Sequence, residues 1–218
     1  MYDLIAKTPL FKGISINDIP SMLNCLGSQK LTYEKDSFIF LAEESRPKVG
    51  IMLCGKAQII KENYFGDRTI IGSLESGDIF GETYACMGLS EIPVSVLATE
   101  NSQALLLDMH KITHTCQSAC TFHHQVITNL LKILAKKNTL LNAKMSYITH
   151  KTIRGRLEAY FNDQAEKTHS LEFKVPFNRN ELADYLCIDR SAMCRELSRM
   201  KQEGLIDYHK NRFRVNWA

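Results

Sequence analysis

The stretch NELADYLCIDRSAMCRELSRM, residues 180–200, decides the fold of this chain. Two apolar patterns at helical spacing meet in it just before Asp189. Asn178 and Glu181 form a capping box at the start of the first helix, and Asp189 can cap the second. Two short helices joined this tightly are typical of a helix-turn-helix.

The second of these helices has one apolar and one polar face. Met193, Leu197 and Met200 recur at spacings of four and three residues and fix the buried face. The side chains that then face outward near the N-terminal end are Arg190, Ser191, Cys194 and Arg195. Recognition helices read base edges in the major groove with their N-terminal residues, and arginine can grip guanine O6 and N7 there.

A basic hairpin is expected after the second helix, because the strand-like segments LIDY and RFRV flank HKN at residues 209–211. Together with the two helices it predicts a winged helix-turn-helix. The alternative is that Arg190, Arg195 and Arg199 form a solvated face paired with nearby glutamates. The cap, the tight turn, the apolar triplet and the wing together favour DNA binding.

Composition sets broader limits. With 218 residues, of which 44% are hydrophobic, the chain can bury the core of one large domain or two small ones. Residues 151–218 carry thirteen basic and ten acidic side chains, against fourteen of each in residues 1–150, so the formal charge of +3 lies in the C-terminal part. This asymmetry by itself supports nucleic-acid binding only weakly.

The sequence points to the cytoplasm and to no membrane partner. No apolar stretch approaches the roughly 20 residues of a membrane span. Asp3 stands where a secretory signal would carry positive charge. The seven cysteines are an odd number without paired spacing, which indicates reduced thiols.

Short alternating or β-branched segments fill residues 31–108: SFIFLA, GIMLCGKAQII, RTIIGSLESGDIFG, PVSVLAT and QALLLD. Many short strands at close spacing predict a sandwich or a barrel. Before them, Ile19, Met22, Leu23 and Leu26 recur at helical spacing and predict a short helix that leads into the sheet.

A long helix is predicted from about Ser118 to His150. Its apolar seam is only two positions wide and consists of Ile127, Leu131, Leu134, Asn138, Leu141, Met145 and Ile148. Asn138 falls at an a position, where the asparagines of two parallel helices can pair, so we predict a homodimer interface. The alternative is an intramolecular core helix that is interrupted at Asn138.

The order of these parts resembles the Crp/Fnr superfamily of bacterial transcription regulators, which includes the cyclic AMP receptor protein. In the β-region the resemblance rests on Gly55 in LCGKAQI, on SGDIFGE at residues 76–82 and on VLATENSQALLLD. The more specific match is NRNELADYLCIDRSAMCREL in the C-terminal part.

The resemblance implies an α+β fold in three parts. Residues 1–117 would form a cyclic-nucleotide-binding-type β-roll (a double-stranded β-helix or jelly roll), residues 118–150 the dimerisation helix and residues 151–218 the winged helix-turn-helix. It also implies a regulator, not an enzyme, that binds double-stranded DNA as a homodimer and contacts RNA polymerase. Thr152–Gly155 is the expected hinge through which a cue sensed by the β-roll would shift the DNA-binding parts.

The resemblance assigns roles to single residues as well. The base-reading positions of the family correspond to Arg190, Ser191 and Arg195. Its phosphate-contacting positions correspond to Asn178, Arg179 and His209, and Lys210 completes the basic wing tip. Ser191 replaces the acid that many relatives carry, so their half-site sequence is not carried over. Cys187 stands where many helix-turn-helix units place glycine.

The effector is the point at which the chain departs from the cyclic AMP binders. Gly81 and Glu82 match, but the following stretch SEIPVSVLAT has no Arg or Lys to neutralise a cyclic phosphate. We therefore expect an unknown small-molecule effector that is not a cyclic nucleotide. The pocket implied by the resemblance consists of Gly81, Glu82, Val94, Ser95, Leu141 and Asn142.

Three other functions could use the same sequence features. A redox- or metal-responsive regulator would use the cluster His110, His114, Cys116, Cys120, His123 and His124. The family architecture breaks the helix in this region, so we predict neither a metal nor another cofactor. A cupin-type metalloenzyme is excluded because no histidine precedes His110. The remaining alternative is an effector-binding module whose C-terminal helices contact protein instead of DNA.

Overall fold

The structure, a computed structural model, describes residues 1–43, 48–62, 64, 68–89, 91–114 and 121–217. The helices within these residues are α1 (Tyr2–Lys7), α2 (Ile19–Cys25), α3 (Glu82–Met87), α4 (Met109–Thr113), α5 (Thr121–Ile148), α6 (Ile153–Thr168), α7 (Arg179–Tyr185) and α8 (Arg190–Gln202), with a 3₁₀ turn at Pro9–Phe11. Among them, none is long and apolar enough to cross a membrane.

The strands are short, as the alternating segments predicted. They are β1 (Gln29–Tyr33), β2 (Phe38–Phe40), β3 (Val49–Cys54), β4 (Ala57–Glu62), β5 (Arg68–Leu74), β6 (Ile79–Phe80), β7 (Ser95–Ala98), β8 (Ser102–Leu107), β9 (Glu172–Lys174), β10 (Ile206–His209) and β11 (Arg212–Val215). The chain divides into two compact units, Met1–Ala135 and Lys136–Ala218, with the division inside α5. The functional boundaries at residues 117 and 150 stay a prediction.

The described strands of the first unit form two four-stranded antiparallel sheets, with strand orders β1-β8-β3-β6 and β2-β7-β4-β5. Side chains alternate between the two faces of a strand, so neighbouring residues enter different cores. Met52 and Leu106 pack in the core that also contains residues of the second sheet, whereas Ile51 and Leu105 pack with the helices α1 and α2. The two central strands of the first sheet, β3 and β8, are covered on both faces and are therefore largely apolar, whereas the edge strand β1 is mostly exposed. The predicted β-roll is confirmed.

Two glycines of the β-roll are required by the backbone. Gly55, in the turn between β3 and β4, has φ +82°, and a Cβ there would meet the backbone of Ser102. Gly81, just before α3, has φ +76°, and a Cβ there would clash with the carbonyl oxygen of Lys48. Positive φ and lack of space both favour glycine, so these residues are explained by the fold alone.

Helix α5 confirms the predicted long helix, and its two ends pack in different units. Near its start, Val126 and Leu130 are buried in the first core, and the Asn129 amide donates to the carbonyl oxygens of Leu10 and Lys12 at 2.9 and 2.8 Å. Near its end, Tyr147 is buried in the core of the second unit.

Some residues of the predicted seam pack within the chain, and others are exposed to solvent. Ile127 and Leu134 pack against the core of the first unit, as the intramolecular alternative required. Of the other seam residues, Leu131, Asn138, Leu141 and Met145 are exposed, and Ile148 is half-buried. The heptad pattern therefore describes an exposed apolar face only beyond the first turns of the helix.

The second unit is built around a small aromatic core. Helices α6, α7 and α8 pack with a three-stranded antiparallel sheet of order β10-β11-β9. Phe161 lies against Phe213 with ring centroids 4.6 Å apart, which joins α6 to the sheet. The predicted hairpin pairs Ile206 with Val215 and His209 with Arg212, so the winged helix-turn-helix is confirmed.

Candidate nucleic-acid interface

The start of α7 is fixed by the capping box that the sequence predicted. The Asn178 Oδ1 accepts hydrogen bonds from the backbone N–H groups of Asn180 and Glu181 at 2.9 and 3.0 Å. In return the Glu181 carboxylate accepts from the Asn178 N–H at 2.7 Å. These bonds satisfy backbone donors that have no partner inside the helix, so the first residue of the interface is held in one conformation.

The turn between α7 and α8 contains a residue in the left-handed region. Cys187 has φ +54°, the conformation for which other helix-turn-helix units use glycine. Its side chain is exposed and therefore contributes little packing. Its carbonyl oxygen accepts a hydrogen bond from the Arg156 guanidinium at 2.7 Å. The sequence departure at Cys187 is thus a locally strained turn held by a charged donor.

Cys187→Gly is expected to raise the free energy of unfolding by up to about 1 kcal/mol, because the left-handed conformation costs a non-glycine residue about 1–2 kcal/mol, of which the extra entropy that glycine loses on folding offsets about 0.5–1 kcal/mol. Thermal denaturation of the purified variant would measure it. Cys54→Gly is the matched control: that thiol is also exposed, but it lies in β3, where glycine should destabilise by about 0.5–1 kcal/mol. Equal destabilisation by both variants would refute strain at Cys187.

Helix α8 presents its faces as the periodicity predicted. Met193, Leu197 and Met200 are buried in the core of the second unit, and the Asp189 carboxylate accepts from the Ala192 N–H at 2.8 Å as the N-cap. The side chains of Arg190, Ser191 and Arg195 are exposed, and that of Cys194 is half-buried. The three predicted base-reading residues therefore lie together on the outer face of the first turns of α8.

The arginines of α8 differ in whether they form ion pairs. The Glu196 and Glu203 carboxylates bind Arg154 of α6, and Glu203 also lies 3.4 Å from the Arg199 Nε. The solvated-face alternative thus holds for Arg199. Within the part of the chain that the structure describes, neither Arg190 nor Arg195 forms an ion pair or a side-chain hydrogen bond. Two arginines at the start of the helix are therefore available for an external anion or base.

The wing carries basic side chains in addition to the two, His209 and Lys210, that the sequence predicted at its tip. His209 and Lys210 are exposed at its tip, as predicted. Arg212 lies directly opposite His209 on one side and Lys174 of β9 on the other, and all three side chains are exposed. Directly opposed side chains in an antiparallel sheet share a face. Lys174, Arg212 and His209 thus form a basic row, for which the alternation in RFRV was the only sequence signal.

The Arg179 side chain, predicted to contact a DNA phosphate, packs against two aromatic rings of the wing. Its guanidinium carbon lies 4.9 Å from the ring centroid of Tyr208 and 4.8 Å from that of Phe213. The side chain is half-buried, and desolvation lowers the pKa of this guanidinium. Cation–π stacking on both rings joins the first turn of α7 to the wing, which is a structural role that the sequence did not indicate.

The residues of the predicted effector pocket belong to two different units, and the pocket stays a prediction. Glu82, Val94 and Ser95 are buried in the β-roll, where the Ser95 hydroxyl accepts from the Ala42 N–H at 2.9 Å. Leu141 and Asn142 belong to the second unit and are exposed on α5. A groove of about 790 Å³ does lie between α3 and α4, lined by Lys48, Ala85, Cys86, Gly88, Leu89, Asp108, Met109, His110, Lys111 and Thr113.

Two of the six members of the predicted Cys/His cluster, Cys116 and Cys120, lie outside the described residues. Of its other members, His110 and His114 stack with ring centroids 3.8 Å apart. His123 is buried, with its Nε2 3.0 Å from the Lys111 carbonyl oxygen. Among the residues that are described, no three His, Cys, Asp or Glu side chains group closely enough to hold a metal ion.

A β-roll, a long helix and a winged helix-turn-helix with exposed arginines define the architecture of a Crp-like DNA-binding transcription regulator. Family models agree: a cyclic nucleotide-binding domain matches residues 30–119, and a Crp-like helix-turn-helix domain matches residues 155–216. The chain therefore belongs to the Crp/Fnr superfamily.

Solved structures share the fold at low sequence identity. The catabolite activator protein of Thermus thermophilus is 19% identical with a TM-score of 0.56, covering 96% of this chain and 94% of its own. A CooA mutant of Carboxydothermus hydrogenoformans is 19% identical with a TM-score of 0.56, covering 90% and 86%. DNR of Pseudomonas aeruginosa is 17% identical with a TM-score of 0.50, covering 98% and 92%. A sequence search of curated proteins finds no match.

Proposed function

We propose that this chain regulates transcription by binding a pseudo-palindromic DNA operator as a homodimer, with α8 in the major groove. The observation that carries the proposal is the pair Arg190 and Arg195, exposed at the start of a helix whose opposite face is buried. Ser191 between them is a third, less discriminating reader. Asn178, His209 and Lys210 are the proposed phosphate contacts on either side of this helix.

Homodimerisation is supported by the exposed part of α5. Leu131 and Leu141 each keep 62% of their surface exposed, and Met145 keeps 58%. Exposed apolar side chains at heptad spacing suit a parallel partner helix, with Asn138 setting the register. A dimer of this kind presents two α8 helices to half-sites about 34 Å apart. RNA polymerase is the expected further partner of such a regulator, which would act in the cytoplasm.

The effector is proposed to be a small molecule other than a cyclic nucleotide. Residues 90–99 contain neither Arg nor Lys, and an unneutralised phosphate would be poorly bound in a desolvated site. Gly55 and Gly81 are explained by backbone geometry, so their presence does not argue for a nucleotide. Mass spectrometry of small molecules that copurify with the protein would test this: a bound cyclic nucleotide would contradict it.

A salt titration separates DNA binding from the alternative in which the C-terminal helices contact protein. Fluorescence anisotropy with a labelled duplex should show affinity falling steeply with salt, because each phosphate contact releases counterions. If the protein does not bind duplex DNA, or if its affinity does not change with salt between about 50 and 200 mM, the proposal is wrong.

Arg212→Gln is expected to flatten this salt dependence. If Arg212 of the basic row contacts a phosphate, its loss reduces the slope of log affinity against log salt by about 0.9 and weakens binding to all sequences alike. Lys167→Gln is the matched control, since Lys167 lies on α6 and is paired with Asp163 at 2.6 Å. An unchanged slope for Arg212→Gln would remove the basic row from the interface.

A further inference from the structure

Two arginines near the start of α6 reach opposite ends of the DNA-reading helix. Arg154 and Arg156 are separated by Gly155, yet one binds carboxylates along α8 and the other binds the turn that precedes it. Neither arginine matches a position for which the resemblance implied a DNA contact, although Arg154 lies within the expected hinge, Thr152–Gly155. Their contacts are charge-assisted hydrogen bonds between α6 and the helix-turn-helix.

Arg154 forms a forked contact with α8. Its Nε donates to the Glu196 Oε1 at 2.6 Å, and its Nη1 and Nη2 donate to the two carboxylate oxygens of Glu203 at 2.7 and 2.9 Å. These bonds lower the pKa of the Glu203 carboxyl and raise that of the Arg154 guanidinium. A planar guanidinium bound by two carboxylates has little rotational freedom, so α8 is fixed about its own axis relative to α6.

Arg156 joins two turns. Its Nε donates to the His150 carbonyl oxygen at 2.9 Å, in the turn after α5. Its Nη1 donates to the carbonyl oxygens of Leu186 and Cys187 at 3.2 and 2.7 Å, in the turn before α8. One side chain thus connects the turn after the long helix with the turn that precedes the DNA-reading helix.

The backbone between these arginines and α5 is also held firmly. The Thr152 hydroxyl accepts from the Gly155 N–H at 3.0 Å, and a Cβ at Gly155 would lie 3.1 Å from that hydroxyl and 3.2 Å from the His150 Cβ. On the other side, the Tyr147 hydroxyl donates to the Asp163 carboxylate at 2.5 Å, joining the last turns of α5 to α6. These bonds oppose bending at Thr152–Gly155, where the sequence predicted a hinge.

We infer that Arg154 and Arg156 are positioning residues for DNA recognition: they make the end of α5, α6 and α8 one rigid body, so that the angle of α5 sets the angle of the base-reading side chains. This inference rests on the proposed function, because it assumes that α8 reads DNA. Neither arginine touches the duplex; each acts through the α8 backbone and its carboxylates. Their loss should therefore reduce discrimination between sequences more than general affinity for DNA.

The test compares full-length wild type with Arg156→Met, Arg156→Lys and Arg154→Gln. Affinity is measured at one salt concentration for an operator obtained by selection and for an unrelated duplex of equal length. Lys56→Gln is the matched control, because it also removes one positive charge, but in the β-roll, where Lys56 pairs with Glu75 at 3.3 Å. Circular dichroism at the temperature of the binding measurement checks that every variant is folded.

We expect Arg156→Met and Arg154→Gln to lower the ratio of operator to unrelated-duplex affinity about five- to 150-fold, the range for losing one base-reading contact. The control should leave this ratio unchanged. Arg156→Lys keeps the positive charge but loses the planar guanidinium with its several donors. Its ratio of operator to unrelated-duplex affinity should therefore lie between those of wild type and Arg156→Met. If Arg156→Met does not fold, Arg154→Gln and Glu203→Gln carry the measurement, because each removes the Arg154–Glu203 ion pair from one side.

The outcomes are distinct. A wild-type protein that binds both duplexes equally would remove the proposed function, and the inference with it. A wild-type protein that discriminates, together with folded Arg156→Met and Arg154→Gln variants that discriminate equally well, would overturn the inference alone. A loss that is equal on both duplexes would make the two arginines direct phosphate contacts and would also overturn it.

Discussion

Leu141→Asp is expected to convert the proposed homodimer to a monomer and to abolish operator binding at the same protein concentration. Leu141 is 62% exposed on α5 and lies at a d position, where the same residue of the partner helix would face it. Two leucine side chains leaving the interface cost about 3–6 kcal/mol, which raises the dissociation constant about 150-fold or more. Two facing aspartates would add repulsion. Sedimentation velocity over a range of concentrations measures the change.

Leu140→Asp is the matched control for this prediction. Leu140 is 50% exposed and adjacent in sequence, but it lies outside the seam. Its replacement should leave the oligomeric state unchanged. Asn138→Ile should act in the opposite direction, stabilising the seam while loosening its register. A wild-type monomer at micromolar concentration, or equal effects at positions 140 and 141, would contradict the proposed interface.

Arg190→Ala is expected to cost about 1–3 kcal/mol of binding free energy at one base pair of each half-site, while the fold stays intact. Arg190 is the first residue of α8, is exposed, and has no ion pair within the described ranges, so its loss leaves no buried group unsatisfied. Binding is measured against operators that are substituted one position at a time. Discrimination should disappear at the contacted base pair and persist at the others.

Arg199→Ala provides the comparison for Arg190→Ala. Arg199 lies in the last turns of the same helix and is already paired with Glu203. Its removal should change affinity little and should not change the preferred sequence. A uniform loss for Arg190→Ala across all substituted operators would make Arg190 a phosphate contact instead of a base reader.

The sequence predicted those features that depend on residues close together in the chain. The capping box joins residues three apart, and the buried face of α8 follows from Met193, Leu197 and Met200 at spacings within one helix. The short strands were predictable for the same reason. Periods of two and of three to four residues reflect local backbone geometry, which a single sequence displays directly.

Contacts between distant residues could not be predicted. Arg154 and Glu196 are 42 residues apart in sequence, and no local pattern indicates that they meet. The basic row needs the register of β11 against both β9 and β10. The heptad seam predicted burial at Ile127 and Leu134 but could not show whether the covering surface belongs to the same chain, which it does. Such questions depend on tertiary packing and not on periodicity.

The sequence predicted which side chains of α8 are exposed, but it did not predict the contacts of Arg179. Arg190, Ser191 and Arg195 occupy the outer face of α8 because three apolar residues hold its inner face. Arg179, by contrast, stacks on Tyr208 and Phe213, since a half-buried guanidinium finds more contact on two rings than in solvent. The pocket residues on α5 and in the β-roll lie in different units, and their role stays a prediction.

Selection of bound DNA from random duplexes by the full-length protein tests the central claim most directly. Two copies of α8 related by a two-fold axis should enrich an inverted repeat whose half-sites are centred about 10–10.5 base pairs apart. In each half-site, guanine is expected opposite Arg190 or Arg195. Enrichment of a single unrepeated site, or no enrichment above unselected DNA, would contradict the account of this chain as a homodimeric DNA-reading regulator.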